Sequence, residues 1–335
     1  MAALSGSLTL AEIAKRLDPQ GKAAPIGELL NQTNQVLDDV PWVEANDGES
    51  HVYTLRTSLP SISWINLNTG ITPTVSSTAQ SRDACGIMGA VVEVDKNVAE
   101  KNGQIQANID SEVTPHIEAM GQEFSDTLFY GNAATVPTEF TGLAPRFNSL
   151  TGTTGENIVS GGGSSTDNSS IWLVDWGVGK VYGIYPRGSK AGLEQINRGL
   201  QSVDTTAGVG SAGARLLAYQ VYLFWKCGIA VQDWRRIVRG CNIDISNLVA
   251  KSGAADLFDI MIKMIHRLPD GQASSSARFY VNRSVMQMLD IQGRDDVQAG
   301  GQLGYAEVAG KKLPAFRGIP IRLVDKLTES ESAVS

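Results

Sequence analysis

Long apolar runs are missing from this chain, and cysteine and histidine, two of the commonest metal ligands and nucleophile or base residues, are scarce. No segment approaches the roughly 18 uninterrupted apolar residues of a membrane-spanning helix. The opening MAALSGSLTLAEIAKRLDP has neither the basic leader nor the apolar core of a secretory signal, so none is expected. Cysteine is scarce: Cys85, Cys227 and Cys241 are an odd set, spaced neither as a metal-binding pair nor as a disulfide framework. They are expected to be free thiols in a reducing compartment. Histidine is as rare, and His51, His116 and His266 have no His or Cys at ligand spacing. Positive charge is in the minority, 28 basic against 35 acidic residues for a net charge of −7. That is the wrong sign for a protein whose main task is gripping phosphates.

Motifs of chemistry are equally thin. GIYPRGSK (183–190) has the wrong order for a phosphate loop, because Gly188 precedes Ser189 and Lys190 where Gly-Lys-Ser/Thr is required. GVGKVYG (177–183) misses the dinucleotide spacing, and no helix follows it. No G-x-S-x-G elbow exists. Asp38 with Asp39, and Asp295 with Asp296, are adjacent acids whose side chains diverge, and they read as solvated loops. Glu118 and Glu123 read as the wet face of a helix, Trp172 and Trp176 as sheet packing. No catalytic residue, cofactor or metal ligand is expected.

What the chain does have is 42% hydrophobic residues, enough to fill a sizeable core over two or three domain-sized units. Thr9 and Glu12 have capping-box spacing ahead of Leu10, Ile13 and Leu17, which predicts a short amphipathic helix. Residues 1–47 otherwise carry too little apolar periodicity for a core of their own and are expected to lie along something else. From His51 the pattern turns to β: HVYTLRTSL, Pro60, SISWINL, a Ser/Thr-rich connection through Arg82, then the strand-like GIMGAVVEV. This predicts a long hairpin or loop. Ile105, Ile109, Val113, Ile117, Met120, Phe124 and Leu128 recur at helical spacing, predicting one long helix over about 96–130, with Pro115 as a kink and Gly131 as its stop. SGGGSSTDNSS (160–170) reads as a flexible surface loop. Strands are predicted in IWLVDWGVGKVYGIY, ARLLAYQVYLFWKCGIAVQDW, IVRGCNI and GIPIRLVDKL, and helices in Ala254–Leu268 and VMQMLDI. The fold class is α+β.

LPSISWINLNTGI (Leu59 to Ile71), the helix entry VDKNVAEKNG, FYGNAATVPTEFTGLAPRF (Phe129 to Phe147) and the closing FRGIPIRLVDKL together resemble stretches of tailed-bacteriophage major capsid proteins. The order of segments is similar to the Hong Kong 97-type capsid fold, and the resemblance spans essentially the whole chain. It implies an N-terminal arm (1–47), an extended loop (48–95), a peripheral domain (96–149 and 306–335) built on a spine helix at 96–130, and an axial domain (150–305). It also implies self-assembly as hexamers and pentamers into an icosahedral shell around double-stranded DNA. Trp42, Trp64, Asn68, Gly70 and Ile71 are the expected inter-subunit contacts, their apolar surface buried only after assembly. Partners implied are a small clamp or decoration protein, a separate scaffold protein, a portal, and DNA held weakly and without sequence preference. With so little sequence ahead of the loop, a subunit starting near its encoded N-terminus is expected.

The family's type member joins a loop lysine covalently to a neighbour's asparagine. Residues 50–95 contain no lysine, so that crosslink is excluded from this loop. Two other readings compete. One is an encapsulin-like compartment that shares the fold and encloses enzymes, and the other is an α/β enzyme using the 160–170 loop as a lid.

Overall fold

The computed structural model describes residues 34–100, 103–204, 215–269, 271–295, 303–308 and 311–335, so the helix expected at Thr9–Leu17 lies outside the described residues. Its strands, in chain order, are β1 (Trp42–Glu44), β2 (Ser50–Ser58), β3 (Ser77–Ala84), β4 (Gly86–Asp95), β5 (Ile158–Ser160), β6 (Asn168–Asp175), β7 (Val181–Tyr185), β8 (Leu193–Asp204), β9 (Arg215–Val231), β10 (Ile237–Asp244), β11 (Ala277–Val281), β12 (Leu303–Val308), β13 (Lys311–Phe316) and β14 (Ile319–Leu323).

A seven-stranded mixed sheet in the order β12-β13-β14-β11-β6-β10-β5 forms the centre of the molecule. Every residue of β6 is buried, because both faces of this sheet are covered. Ile171 and Leu173 point to one face and pack with Leu257, Ile260, Met261 and Met264 of the helix Leu257–His266 and with Val285 and Leu289 of the helix Arg283–Asp295. Trp172 and Val174 point to the other face and meet Phe124, Leu128 and Phe129 of the long helix. Trp172 and Trp176 are thus buried packing residues.

The second sheet runs β1-β7-β9-β4, with β8 added along β9. One of its faces carries Val92, Val94, Val221 and Leu223, which pack against Ile109, Val113 and Met120 of the long helix. That helix spans Ile105–Tyr130 and runs unbroken through Pro115. Thr114 Oγ1 donates to the Asp110 carbonyl, and His116 Nδ1 lies 2.7 Å from the Glu112 carbonyl, so side chains bind the backbone around the proline. The helix does not begin at residue 96. Lys96–Ala99 forms a separate turn capped by Asp95, whose carboxylate accepts from Asn97 N at 2.7 Å. Ile117, counted in the apolar stripe, is 40% exposed at its edge.

At the C-terminal end of the long helix, Gly131 and Gly142 let the following segment fold back onto the last turn. A Cβ on Gly131 would sit 2.5 Å from Thr127 Cγ2, and one on Gly142 2.4 Å from the Thr127 carbonyl. Leu143 N then donates to the Leu128 carbonyl at 2.9 Å, which satisfies an acceptor the helix leaves open. This explains the glycines of the FYGN…TGL stretch.

Several expectations are corrected by the topology. The partner of β2 is the polar β3, while GIMGAVVEV forms β4 and pairs with β9 in the body. Strand β8 and strand β12 were not foreseen. In the sheets, β7, β8 and β9 (181–231) lie with β4, which packs on the long helix, and β14 lies beside β11 in the seven-stranded sheet. The 160–170 segment is pinned, not loose. Gly161 N and Gly163 N donate to the Cys241 and Asn242 carbonyls at 2.8 Å, and a Cβ on Gly163 would lie 2.4 Å from Asn168 Oδ1. Glycine here permits close approach of two backbones, and a lid reading loses its basis.

Candidate assembly surfaces

The hairpin β2–β3 stands on a buried carboxylate. Asp83 accepts from Arg146 Nη2 at 2.8 Å, from Tyr53 Oη at 2.9 Å and from Val231 N at 3.0 Å, so β2, β3, β9 and the segment after the long helix meet at one side chain. Tyr53 Oη lies equally close to the Val231 carbonyl, at 2.8 Å. Burial first, and then the charge of Asp83, push the Tyr53 hydroxyl up to about 12 and the Cys85 thiol up to about 11.

Beyond this base the hairpin runs out into residues 59–76, which form no strand and contain no Asp, Glu, Lys, Arg or His. Leu59, Ile62, Trp64, Ile65, Leu67, Ile71 and Val75 are all exposed, with Ile62, Trp64 and Leu67 at 95%, 105% and 96%. Exposed hydrophobics scattered singly are normal; a continuous uncharged segment of them is a contact surface in waiting. The tip nevertheless has a shape. Thr69 N donates to the Asn66 carbonyl at 3.2 Å across a turn in which Asn68 takes a positive φ of 65°, and Thr74 Oγ1 donates to the Ser61 carbonyl at 2.8 Å. Asparagine tolerates that backbone region better than most residues.

Of the predicted contacts, Trp64, Asn68, Gly70 and Ile71 therefore lie together on this tip. Asn68 supplies a turn conformation, and a Cβ added at Gly70 would meet nothing within 4 Å. Trp42 departs from the expectation that it is buried only after assembly. It is half-buried in its own chain, with ring centroids 5.6 Å from Phe124 and 6.1 Å from Trp225, and β1 pairs with β7. Leu59, Ile62, Ile65, Leu67 and Val75 were not singled out in the sequence, although the missing charge over 59–76 marks them all.

The arm preceding β1 is tied in as well. Asp39, expected to be solvated, has a buried side chain that accepts from Arg322 Nη2 at 2.8 Å, Arg278 Nε at 3.3 Å and Tyr280 Oη at 3.2 Å. Val36 and Val40 enter the core shared by the long helix and the central sheet. The C-terminal tail is held in the same way: Glu331 pairs with buried Arg239 at 2.8 Å and accepts from Tyr130 Oη at 2.6 Å. A fourth buried carboxylate, Asp175, closes the turn after β6 against Lys180 at 2.9 Å and Arg236 at 3.3 Å. Each of these carboxyl groups is matched by a basic partner that ties separate segments together. Among the described residues no three of His, Cys, Asp and Glu gather as a metal site.

A body that completes its own core while holding out an uncharged apolar projection on a clamped stalk is an assembly subunit. The family described as Major capsid protein GP7 matches residues 18–335, and the chain belongs to that family. A chain in the near-atomic structure of bacteriophage Epsilon15 is 30% identical to it, covering 100% of this chain and 99% of that one, with a TM-score of 0.76. The capsid of bacteriophage JBD30 matches at 8% identity over 96% and 99% of the two chains, TM-score 0.47, and the SrpI encapsulin complex of Synechococcus elongatus PCC 7942 at 13% over 70% and 96%, TM-score 0.40. Comparison with curated proteins yields no match. The protein is a structural major capsid protein with the α+β fold of phage capsids. It self-associates and resides in the virion shell.

Proposed function

We propose that the chain assembles as hexamers and pentamers into an icosahedral shell around double-stranded DNA, with each loop, residues 48–95, lying over a neighbouring subunit. The observation that carries this reading is the exposed, charge-free tip on a stalk clamped at Asp83. Such a tip gains several kcal/mol only when a second surface covers it, at about 25 cal/mol per Å² of apolar area. Trp64 and Ile71 are its anchors, and Gly70 leaves room for close approach. Trp42 contributes through the body it stiffens. In this reading the long helix with β4, β7, β8 and β9 forms the peripheral domain. The seven-stranded sheet and its helices form the axial domain, and the arm through residue 47 runs beneath the shell.

The shell is held without covalent links from this loop, since residues 50–95 offer no lysine. A small clamp protein over local symmetry axes, a separate scaffold and a portal complete the particle. DNA contacts come from dispersed Lys and Arg on the inner face and weaken with salt, as expected for a subunit of net negative charge. Electron microscopy of the expressed protein, with and without a candidate scaffold, tests the assembly claim: closed shells or hexamers and pentamers are expected, and a monodisperse monomer under every condition refutes it. Denaturing gels of mature particles test the second claim, where a ladder of covalent multimers is the refuting result.

A further inference from the structure

Asp39, Asp83, Asp175 and Glu331 each have a basic partner, whereas Asp167 and Asp244 have none among the described residues. These two acids meet where the segment after β5 crosses the end of β10. Ser165 Oγ touches both of them, Asp167 at Oδ1 and Asp244 at Oδ2, the second at 3.1 Å. A hydroxyl has one proton and can donate it to only one carboxylate at a time, which leaves the other pair of oxygens in repulsive contact. Both acids are held below the ordinary carboxylate range, Asp167 by hydrogen bonds from the Ser165 and Ser246 hydroxyls and Asp244 by the Asn247 backbone N–H. Both are therefore charged at neutral pH, and the charge of Asp167 works against that of Asp244. A second, separate observation points to the same place. Asn168 is fully buried, and its Oδ1 has no hydrogen-bond donor. Its Nδ2 donates to the Ser165 carbonyl at 2.5 Å, so turning the amide over would set two carbonyl oxygens against each other. Asn168 stands directly opposite Asp244 in the β6–β10 pairing, and the two side chains leave the same face of the sheet. Both border Gly163, where an added Cβ would meet Asn168 Oδ1 and, at 3.1 Å, Asp244 Cβ. A buried acceptor without a donor, beside two carboxylates without a base, calls for a positive charge.

We propose that Asp167, Asp244, Ser165 Oγ and Asn168 Oδ1 bind a calcium ion, with water completing its shell. All four ligands are hard oxygens, and the two carboxylates together neutralise a divalent cation. Thiol and imidazole are absent from the set, which disfavours zinc and the softer metals. Carboxylate, hydroxyl and amide oxygens drawn from one loop and one strand end suit calcium, which accepts irregular shells of about 6–8 oxygens. Magnesium demands a near-ideal octahedron and gives up its water reluctantly. The ion replaces a single shared proton with two positive charges and gives Asn168 Oδ1 its partner. It ties the segment after β5 to β10 at the rim of the central sheet. All its ligands lie within one subunit and apart from the β2–β3 tip, so the site is independent of how the loop meets a neighbour.

The test titrates calcium chloride into the full-length chain after treatment with EDTA, followed by calorimetry and by the thermal midpoint. Saturable binding of one ion per chain with a Kd below about 1 mM, and a midpoint that rises with calcium, are expected. Magnesium chloride should bind about tenfold more weakly or worse. Asp167→Asn is expected to lower calcium affinity about tenfold, while its midpoint in EDTA equals or exceeds that of the wild type because the repulsion is gone. If that variant does not fold, Ser165→Ala takes its place, with a loss of about threefold expected. Absence of saturable calcium binding up to about 10 mM overturns the proposal, and so does wild-type affinity in the variant. Equal affinity for magnesium overturns the choice of calcium. If Asp167 serves only as a hydrogen-bond partner of Ser165, its asparagine variant melts early in EDTA and calcium moves neither midpoint, which also overturns the site.

Discussion

The two ends of the β2–β3 hairpin obey opposite rules. At its base, Tyr53, Asp83 and Arg146 form a buried, hydrogen-bonded cluster reaching β9, and the chain satisfies every group itself. At its tip, Trp64, Ile62 and Leu67 stand almost wholly in solvent and their apolar neighbours are exposed as well. The base fixes where the projection emerges, and the tip carries no private stability. A capsid subunit has to fold before it has neighbours, and this division keeps folding and assembly on separate residues. Substitutions ordered by their effect on the isolated chain test that separation.

Asp83→Ala has the largest expected effect. It leaves Arg146, the Tyr53 hydroxyl and Val231 N facing a buried void, and removing one partner of such a pair costs about 3–5 kcal/mol. Chemical denaturation compared with wild type checks it, and a cost under about 1 kcal/mol means the base is held by something else. Gly163→Ala comes next. Its new Cβ would fall 2.4 Å from Asn168 Oδ1 and 2.8 Å from the Asn242 carbonyl. Overpacking of that kind costs about 1–3 kcal/mol. An unchanged or raised midpoint would restore the flexible-loop reading of 160–170.

That loop shows where sequence reading stops. Composition tells that glycines are dense at 161–163 but not whether they grant freedom or permit contact, and here a strand 79 residues distant decides it, through Ser165 and Asp244. Asp39 was illegible for the same reason, since its guanidinium partners lie 239 and 283 residues away. Strand β3, STAQSRDA, was missed because a projecting hairpin wets both faces and loses the period-two signal. The long helix was legible because Ile109, Val113 and Met120, facing one core, and Phe124 and Leu128, facing the next, keep a single helical spacing, and β9 because aromatic and β-branched residues crowd it. The tip was legible in part. Trp64 and Ile71 drew notice, while the fuller signal was the lack of any charge from 59 to 76.

Alkali separates the two ends by a third route. Tyr53 and Cys85 sit beside Asp83 with folded values of about 12 and about 11, above their ordinary 10.0 and 9.0. A raised acid is neutral in the fold, so its contribution is complete below the unfolded value and is lost as pH climbs through the folded one. The base should begin to weaken above about pH 9 and continue to about 12, read as a falling thermal midpoint. The tip, with no titratable side chain, contributes nothing to that fall. Cys85→Ser is expected to delay its onset, and an identical profile for that variant would detach the effect from the base.

Trp64→Asp has the smallest expected effect on the isolated chain and the largest on what the chain is for. A side chain 105% exposed makes no packing contact to lose, so unfolding should move by no more than about 0.5 kcal/mol. If the tip is covered in the shell as proposed, the same carboxylate is buried in an apolar contact without a partner, at a cost of several kcal/mol at every repeated interface. Scattering or microscopy should then find soluble, folded subunits and no closed particles, whereas Trp64→Phe should assemble. A Trp64→Asp chain that unfolds early would mean that the tip belongs to the core after all. One that assembles at wild-type yield would mean that the tip is spare, and that the shell is held by the arm and the body alone.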